Sequence, residues 1–192
     1  MDVSRARLSP EDWTRAALRA LAVGGVAAVR VDVLARDLGI SRGSFYWHFT
    51  DRDALLKAAL EEWERRFTAQ VIEQLDGVAD PSERFERLVR GALTDESVPG
   101  LQPAIMAHAD HPVVRPVLRR VTTQRIAYIT AIYQDLGLAK APARRRAVVA
   151  YATYLGWLDL RRVPADLLPE LTTSKEGEAA VKEIMRMLHP TT

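Results

Sequence analysis

The sequence contains no cysteine, and it lacks segments typical of membrane or exported proteins. The absence of cysteine excludes disulfide bonds and thiolate zinc sites, and it suits a cytoplasmic protein. The longest nearly uncharged run near the start, residues 20–29, is too short to span a bilayer. Arg5 and Arg7, followed by Glu11 and Asp12, do not form a secretion signal. We therefore expect a cytoplasmic protein with no membrane partner.

Recognisable catalytic motifs are also missing. The four histidines are not accompanied by a nucleophile elbow, a glycine-rich phosphate loop or paired acids that spacing singles out. We therefore expect no enzyme activity and no cofactor. His108, Asp110 and His111 could together ligate a divalent metal, although no further ligands can be identified. We favour the alternative that Asp110 caps the following helix and that the two histidines are polar linker residues.

Length and composition are those of an ordinary globular protein. The 192 residues fit one medium domain or a small domain joined to a larger one, with 48% hydrophobic and 27% charged residues. The net charge of +2 permits nucleic-acid binding without demonstrating it. Helix signals dominate and no convincing alternating strand pattern occurs, so we predict an all-α fold. Ser9, Asp51 and Asp80 each precede a helical pattern and are predicted helix caps.

Residues 34–52 have the pattern of two short helices joined by a tight turn. Leu34 and Leu38 lie at helical spacing and give the first helix an apolar face. Gly39 can adopt the left-handed conformation that a sharp turn requires, and Ser41 can cap the second helix with its side-chain oxygen. This arrangement is typical of a helix-turn-helix, in which the second helix enters the major groove of DNA.

Residues 38–49, Leu-Gly-Ile-Ser-Arg-Gly-Ser-Phe-Tyr-Trp-His-Phe, closely resemble the signature of the tetracycline-repressor (TetR-type) family of transcriptional regulators. The resemblance is specific over residues 9–57 and architectural beyond them. It implies an all-α protein with a three-helix DNA-binding head in residues 1–50 and a helical ligand-binding and dimerisation body in residues 51–192. The long helix that begins at Arg52 would belong to both.

The resemblance also implies a set of DNA-contacting residues: Ser41, Arg42, Gly43, Ser44, Tyr46, Trp47, His48 and Arg52. Arg30, where the chain departs from the family pattern, is added to this set as a further candidate. Arg42 projects near the start of the second helix, where its planar guanidinium could read a guanine edge. Gly43 stands where a side chain would block close approach of the helix to DNA.

The other residues of this set divide into those that read bases and those that bind phosphates. Base contacts are expected from Ser44 and Trp47. The residues expected to hold phosphates are Tyr46, His48 and Arg52. Arg30 replaces the threonine usual in the family and could contact a phosphate instead. The alternative is that the charged and polar side chains merely solvate a helical hairpin.

Two body helices are candidates for a dimer interface. Residues 147–158 are apolar around nearly the whole helix, so they must be covered on more than one side. In the last helix one apolar stripe consists of Val181, Ile184, Met185 and Leu188. These residues could form the core of a monomer. The resemblance implies, and we favour, a four-helix interface between two copies, built from residues 142–162 and 175–189.

Aromatic residues of the body, with one methionine, could line an apolar pocket between helices. The candidates are Trp63, Phe67, Met106, Tyr128, Tyr151, Tyr154 and Trp157. The resemblance implies a pocket, and we predict that all of these residues except Tyr151 contact its ligand. The alternative is that they are ordinary core residues. Arg125 lies in an apolar helix and could bind an anionic ligand, but we favour a salt bridge to an acidic body residue.

The sequence therefore predicts a ligand-responsive, homodimeric DNA-binding regulator, most often a repressor in this family, that a small molecule releases from its operator. The expected partners are a palindromic double-stranded operator, a second copy of the chain and an unidentified small-molecule effector. Two alternatives remain open. One is a DNA-binding module without ligand control, and the other is a metal-dependent helical enzyme that uses His108 and His111.

Overall fold

A computed structural model describes residues 9–95, 97–164, 166 and 174–190, which form helices and connections with no strand among them. The helices are α1 (Pro10–Ala28), α2 (Val31–Asp37), a 3-10 helix (Arg42–Trp47), α3 (Arg52–Glu64), a π-helical turn (Arg65–Ala69), α4 (Gln70–Asp76), α5 (Pro81–Thr94), α6 (Leu101–Met106), α7 (Val114–Asp135), α8 (Lys140–Leu160) and α9 (Ser174–Leu188). The predicted all-α fold is confirmed. No helix in this part of the chain is long and apolar enough to cross a membrane.

α1 begins and bends where its sequence indicates. The Asp12 carboxylate accepts hydrogen bonds from the backbone N–H of Ser9 at 2.9 Å and from the Ser9 hydroxyl at 3.1 Å. Gly24 and Gly25 interrupt the helical backbone, and Gly25 has a φ of 65°, which favours glycine. The glycine pair therefore kinks the helix without ending it, and α1 continues to Ala28.

Aromatic contacts anchor the 3-10 helix to α1. The fully buried rings of Trp13 and Phe45 meet edge to face with 5.3 Å between their centroids, and Phe45 stacks on Phe49 at 5.6 Å. Because these contacts hold one side of the 3-10 helix against the core, the opposite side faces solvent.

The turn between α2 and the 3-10 helix confirms one prediction and corrects another. Gly39 has a φ of 69°, as the predicted sharp turn requires. Ser41 occupies the cap position, but its side chain makes no capping hydrogen bond, so that prediction is wrong. Instead, the backbone carbonyl of Ser41 accepts a hydrogen bond from the N–H of Ser44 at 3.1 Å. A hydrogen bond between residues i and i+3 is typical of a 3-10 helix, and this one involves backbone atoms alone.

The predicted long helix from Arg52 is confirmed as a run of α3, the π-helical turn and α4. Asp51 caps it by accepting a hydrogen bond from the N–H of Ala54 at 2.8 Å. The run ends at Asp76. The π-helical turn was not predicted. Such turns are frequent at functional sites.

Two hydrophobic clusters fill the molecule, and α7 belongs to both. The first joins α1, α2, the 3-10 helix, α3, α6 and the first half of α7 as far as Val121. The second joins α5, α8, α9 and the second half of α7, where the Tyr133 hydroxyl donates to the carbonyl of Leu188 at 2.8 Å. The first cluster includes residues on both sides of position 50, so the proposed head and body share a core. Their division at that position stays a prediction.

The linker before α7 does not use Asp110 as a helix cap. The cap position is Val113, whose backbone N–H donates to Nδ1 of His111 at 3.2 Å. The predicted capping role of Asp110 is therefore wrong, because the helix begins later and a histidine supplies the side-chain acceptor.

His108 belongs to the contact between α1 and α6. Its Nδ1 lies 2.9 Å from the carbonyl oxygen of Ala104. Its ring lies so close to Gly25 that a Cβ atom there would stand 2.4 Å from Cε1. Among the described residues, no group of three or more histidine, aspartate or glutamate side chains could hold a metal ion.

Candidate nucleic-acid interface and ligand cavity

The outer side of the 3-10 helix carries most of the residues predicted to contact DNA. Tyr46 is 55% exposed and Trp47 is 69% exposed, although aromatic rings of this size are mostly buried in folded proteins. Five further predicted contacts lie on or beside the same segment: exposed Ser41, Arg42 and Gly43, and half-buried Ser44 and His48. The fold therefore brings these residues together on one short surface segment.

Arg42 and Gly43 have the accessibility that their predicted roles require. The Arg42 guanidinium donates to the Tyr46 hydroxyl at 3.3 Å, a long hydrogen bond on an exposed surface. A Cβ atom added at Gly43 would meet no described atom closer than the Ser41 hydroxyl oxygen, at 3.8 Å. The packing of the described chain therefore does not itself require glycine at position 43.

Arg30 lies apart from this segment, at the cap position of α2. Its guanidinium pairs with the Asp32 carboxylate at 3.0 Å, and both side chains are exposed. Exposed ion pairs contribute about 1 kcal/mol or less to stability. Arg30 could therefore release Asp32 and bind a phosphate group with little loss of folding free energy.

Arg52 has an internal role that the sequence interpretation missed. Its Nε donates to the carbonyl oxygen of Val29 at 2.8 Å, and its Nη2 donates to that of Val26. These carbonyls lie at the end of α1, where the last carbonyls of a helix have no partner within it. Nη1 pairs with Asp53 at 3.3 Å, so three of the five N–H groups are used. The side chain thus ties the first turn of α3 to the end of α1.

A cavity of about 540 Å³ lies in the body between the long helical run, α5, α6, α7 and α8. This volume is within the range of small-molecule sites. Its wall includes four of the predicted ligand-contacting residues and one further candidate, namely Trp63, Phe67, Tyr128, Tyr154 and Tyr151. The fold therefore brings together aromatic residues that are far apart in the sequence.

Met106 and Trp157 do not line this cavity, so the structure does not bring them together with the other predicted ligand contacts. Met106 is exposed at the end of α6. The Trp157 ring is buried in the second hydrophobic cluster, where its Nε1 donates to the carbonyl of Leu93 at 2.9 Å. Helical spacing indicates that a residue lies on an apolar face, but it does not determine which neighbouring helix that face meets.

Arg125 lies in the cavity wall with no acidic partner among the described residues. Its three nitrogens donate to neutral oxygens, each at 2.9 Å: the Thr68 hydroxyl, the Gln102 side-chain carbonyl and the Phe67 backbone carbonyl. The favoured prediction of a salt bridge to an acidic body residue is therefore wrong. The carbonyl of Phe67 belongs to the π-helical turn, and Arg125 satisfies it.

Aromatic rings also contact this guanidinium. Its central carbon lies 5.2 Å from the ring centre of Trp63 and 5.9 Å from that of Tyr154, within the range of cation–π attraction. Burial raises the pKa of the Tyr154 hydroxyl, and the nearby charge of Arg125 opposes that shift. The Tyr154 phenol is therefore protonated at neutral pH and can donate a hydrogen bond.

Two buried polar groups in the cavity wall lack a hydrogen-bond partner in the part of the chain that the structure describes. Gln102 and Tyr151 are each only 6% exposed, and both the Nε2 atom of Gln102 and the hydroxyl of Tyr151 are unpaired. Buried polar atoms are nearly always paired, so such exceptions need an explanation. Sequence reasoning missed Gln102 and Thr68, because a single polar residue in a short apolar pattern does not distinguish a cavity wall from a surface.

The fold and the exposed 3-10 helix define a helix-turn-helix protein with a cavity-bearing helical body. Residues 14–59 match the model of the bacterial regulatory proteins of the tetR family. The HTH-type transcriptional regulator SrpR of Pseudomonas putida is 32% identical over 127 residues, which are 57% of this chain and 59% of SrpR. The uncharacterized HTH-type transcriptional regulator TtgW, also of Pseudomonas putida, is 32% identical over 97 residues, 43% of this chain and 72% of TtgW. The chain belongs to the tetR family of bacterial regulatory proteins.

Solved structures share the fold along nearly the whole chain. FadR from Bacillus subtilis, in complex with stearoyl-CoA, has a TM-score of 0.70 and 12% identity, covering 94% of this chain and 97% of FadR. A regulator described as putative from Saccharomonospora viridis, in complex with choline, has a TM-score of 0.70 and 20% identity, covering 93% of this chain and 92% of its own. At these identities the likeness concerns the fold alone.

Proposed function

We propose that the protein is a dimeric repressor that binds DNA through the 3-10 helix and releases it when a small molecule fills the cavity. The observation that carries the proposal is that one helical run links the cavity to the structure that supports the DNA-contacting segment. Arg52, in the first turn of α3, contacts the end of α1, while Trp63 and Phe67 line the cavity. Arg52 and Trp63 are 11 residues apart, about 16 Å along a helix.

On the DNA side, we assign base reading to Arg42, Ser44 and Trp47. The remaining residues position the helix against the sugar-phosphate backbone of DNA: Arg30, Ser41, Tyr46, His48 and Arg52. Gly43 allows the helix to approach the DNA closely. Phosphate contacts fix register, whereas contacts to base edges carry sequence information. The exposure of the segment and the arginine at its start support this assignment.

A dimer is required because a single short helix reads only half of a site. Two recognition helices must face successive turns of the major groove, about 34 Å apart or a multiple of that. We place the interface on residues 142–162 and 175–189. Exposed apolar side chains on both helices support this choice: Val148, Val149 and Leu160 on α8, and Met187 on α9.

Ligand control follows from differential binding. An effector can release DNA only if it binds better to the conformation whose recognition helices are wrongly spaced. An effector between the long helical run and α7 would press on Trp63 and Phe67, and a shift of α3 would carry Arg52 with it. FadR and the S. viridis regulator, each solved with a small molecule, support such a role by analogy.

Selection from a library of random duplexes tests the proposed DNA binding. Wild-type protein is expected to enrich an inverted repeat. Arg42→Ala is expected to bind the enriched duplex about 1–3 kcal/mol more weakly and to lose its preference at one base pair in each half-site. Arg119→Ala, which removes an exposed arginine of α7 outside the head, is the charge control and should select the same repeat. Failure of the wild type to enrich any inverted repeat would contradict the proposal.

A further inference from the structure

Arg125 is a partly buried cation whose hydrogen-bonding capacity is not filled. A guanidinium has five N–H donors; three of them bond to neutral oxygens and the Tyr154 hydroxyl lies within reach of another, so at least one donor remains. Its partners are all neutral, which leaves a full positive charge in the cavity wall. A carboxylate in the cavity would satisfy both the charge and the remaining donor capacity.

Two other arginines in the cavity wall have carboxylate partners, whereas a third, Arg161, donates to the backbone carbonyl of Leu93 at 3.2 Å. Arg87 pairs with Glu83 at 2.5 Å, and Arg162 lies 3.8 Å from Asp159. The acidic side chain in the wall, Asp95, accepts a hydrogen bond from the backbone N–H of Ser97 at 2.8 Å instead of pairing with Arg125. Arg125 therefore lacks the carboxylate partner that Arg87 and Arg162 have.

Gln102 presents an unpaired donor beside this charge. Because Arg125 can only donate, the atom of Gln102 that contacts it must be the carbonyl oxygen Oε1, at 2.9 Å. This fixes the amide orientation and makes the neighbouring atom the donor Nε2, which is buried and unpaired. The Gln102 amide thus accepts a hydrogen bond from Arg125 through Oε1, and its Nε2 can donate to a ligand in the cavity.

Tyr151 adds a third donor to the same wall. Its hydroxyl is buried and unpaired, and its ring lies 5.9 Å from that of Tyr154, which contacts the guanidinium of Arg125. An acceptor group in the cavity would satisfy this hydroxyl as well as Gln102 and Arg125. Unpaired buried donors cost stability, so a shared acceptor would remove several penalties at once.

We propose that the effector is an amphipathic monocarboxylate whose carboxylate binds Arg125, with Gln102 and Tyr151 as additional donors. This inference rests on the proposed ligand-controlled function and names the chemical class of its effector. The Arg125 charge is single, so it is matched by a carboxylate of charge −1. A phosphate monoester, with a charge of about −1.5 to −2 at neutral pH, would leave excess negative charge in the wall.

The rest of the cavity indicates the non-carboxylate part of the molecule. Its wall includes aliphatic side chains, among them Val71, Ile72, Leu88 and Ile129, beside the aromatic rings. Such a surface gains free energy from burying a hydrocarbon chain or an aromatic ring. The volume of about 540 Å³ suits a molecule of small-ligand size.

Calorimetric titration of the full chain with paired probes tests the inference. The acids are decanoate, 4-phenylbutyrate and 1-naphthaleneacetate, each compared with its primary amide, which has nearly the same shape and no charge. At least one acid is expected to bind about tenfold or more tightly than its amide, since hydrogen bonds between charged groups are worth more than neutral ones. Decylamine, a cation, is expected to bind more weakly than decanoate.

Two variants separate ligand recognition from structural support. Arg125→Gln should bring the affinities of acid and amide to within about threefold of each other. Because this change could also loosen the π-helical turn, Gln102→Glu is the second variant. It retains Arg125 and supplies the missing carboxylate from the protein itself, so acid binding should fall about tenfold or more while amide binding stays within about threefold. The midpoint temperature of thermal unfolding of Gln102→Glu should be no lower than that of the wild type.

The outcomes distinguish the inference from the proposed function. Binding of acids and amides with equal affinity would overturn the carboxylate inference and leave a ligand-binding cavity in place. A preference for the acid over the amide that persists in both variants would also overturn it, because residues other than Arg125 and Gln102 would then bind the carboxylate. Failure of all probes to bind would count against the cavity as an effector site and overturn both.

Discussion

The Nε atom of Arg52 donates a hydrogen bond to the carbonyl oxygen of Val29 at 2.8 Å, across 23 residues of sequence. The bond fastens the first turn of α3 to the end of α1. α1 in turn carries Trp13, whose ring packs on Phe45 of the 3-10 helix. Because these contacts are continuous, a displacement of α3 at the cavity is expected to move the DNA-contacting segment.

Loss of this link is expected to destabilise the fold. Arg52→Ala should lower the free energy of unfolding by about 1.5–3 kcal/mol, because hydrogen bonds from charged groups contribute about that much. Urea denaturation followed by circular dichroism measures the change. Arg36→Ala is the matched control, since it removes an exposed arginine whose partner is Asp37 at 3.6 Å, and it should cost about 1 kcal/mol or less. Equal losses in the two variants would contradict the role given to Arg52.

The kink of α1 is expected to depend on glycine for two separable reasons. Gly25 and Gly39 have nearly the same φ, 65° and 69°. An added Cβ would meet His108 at 2.4 Å at Gly25 and no described atom within 4 Å at Gly39. Gly39→Ala should therefore cost only the backbone strain, about 1–2 kcal/mol, and Gly25→Ala should cost more. Urea unfolding of both variants measures the difference, and equal costs would show that the His108 contact relaxes freely.

Gly43→Ala is expected to separate folding from DNA binding. The free energy of unfolding should change by about 1 kcal/mol or less, since no described atom lies within 3.8 Å of the added Cβ. Affinity for the duplex enriched by the wild type should fall about tenfold or more if the backbone approaches DNA closely. Fluorescence anisotropy measures the affinity, and Gly77→Ala, at the exposed end of α4 where an added Cβ would make only an ordinary contact at 3.5 Å, should leave it unchanged. Unaltered DNA binding by Gly43→Ala would rule out the close approach.

A charge on the exposed face of α8 is expected to prevent dimerisation. Val149 is 59% exposed in the single chain, so Val149→Glu should fold normally, whereas a buried unpaired carboxylate in an interface is costly. Light scattering at micromolar concentration should show a wild-type dimer and a Val149→Glu monomer. Val23→Glu adds the same charge at a 91% exposed valine of α1 and should remain dimeric. A monomeric wild type would contradict the proposed assembly.

Local features of this chain could be predicted from its sequence. The turn at Gly39 depends on the conformational freedom of that one residue. The caps at Asp51 and Asp80 depend on hydrogen bonds from backbone N–H groups two or three residues away to the aspartate side chain. Ser41 and Asp110 have the same capping chemistry, yet neither caps a helix. In both places the backbone adopts a different path, which short-range propensity does not determine.

The candidate cavity could be predicted only in outline. Trp63, Phe67, Tyr128 and Tyr154 meet as expected, because large aromatic residues on apolar faces usually face inward. The neutral partners of Arg125 could not be predicted, since they come from the π-helical turn and from α6, 57 and 23 residues away. Which polar group a buried arginine reaches depends on how three helices pack, and no single helical pattern contains that information.

The central claim is that the cavity and the DNA-contacting segment are coupled. It is tested most directly by calorimetric titration of the wild-type protein with the tightest-binding of the three acids, with and without the enriched duplex. The account predicts that the duplex lowers affinity for the acid by about 5–150-fold, and that the acid lowers affinity for the duplex by the same factor. An affinity for the acid that is the same with and without DNA would contradict the account.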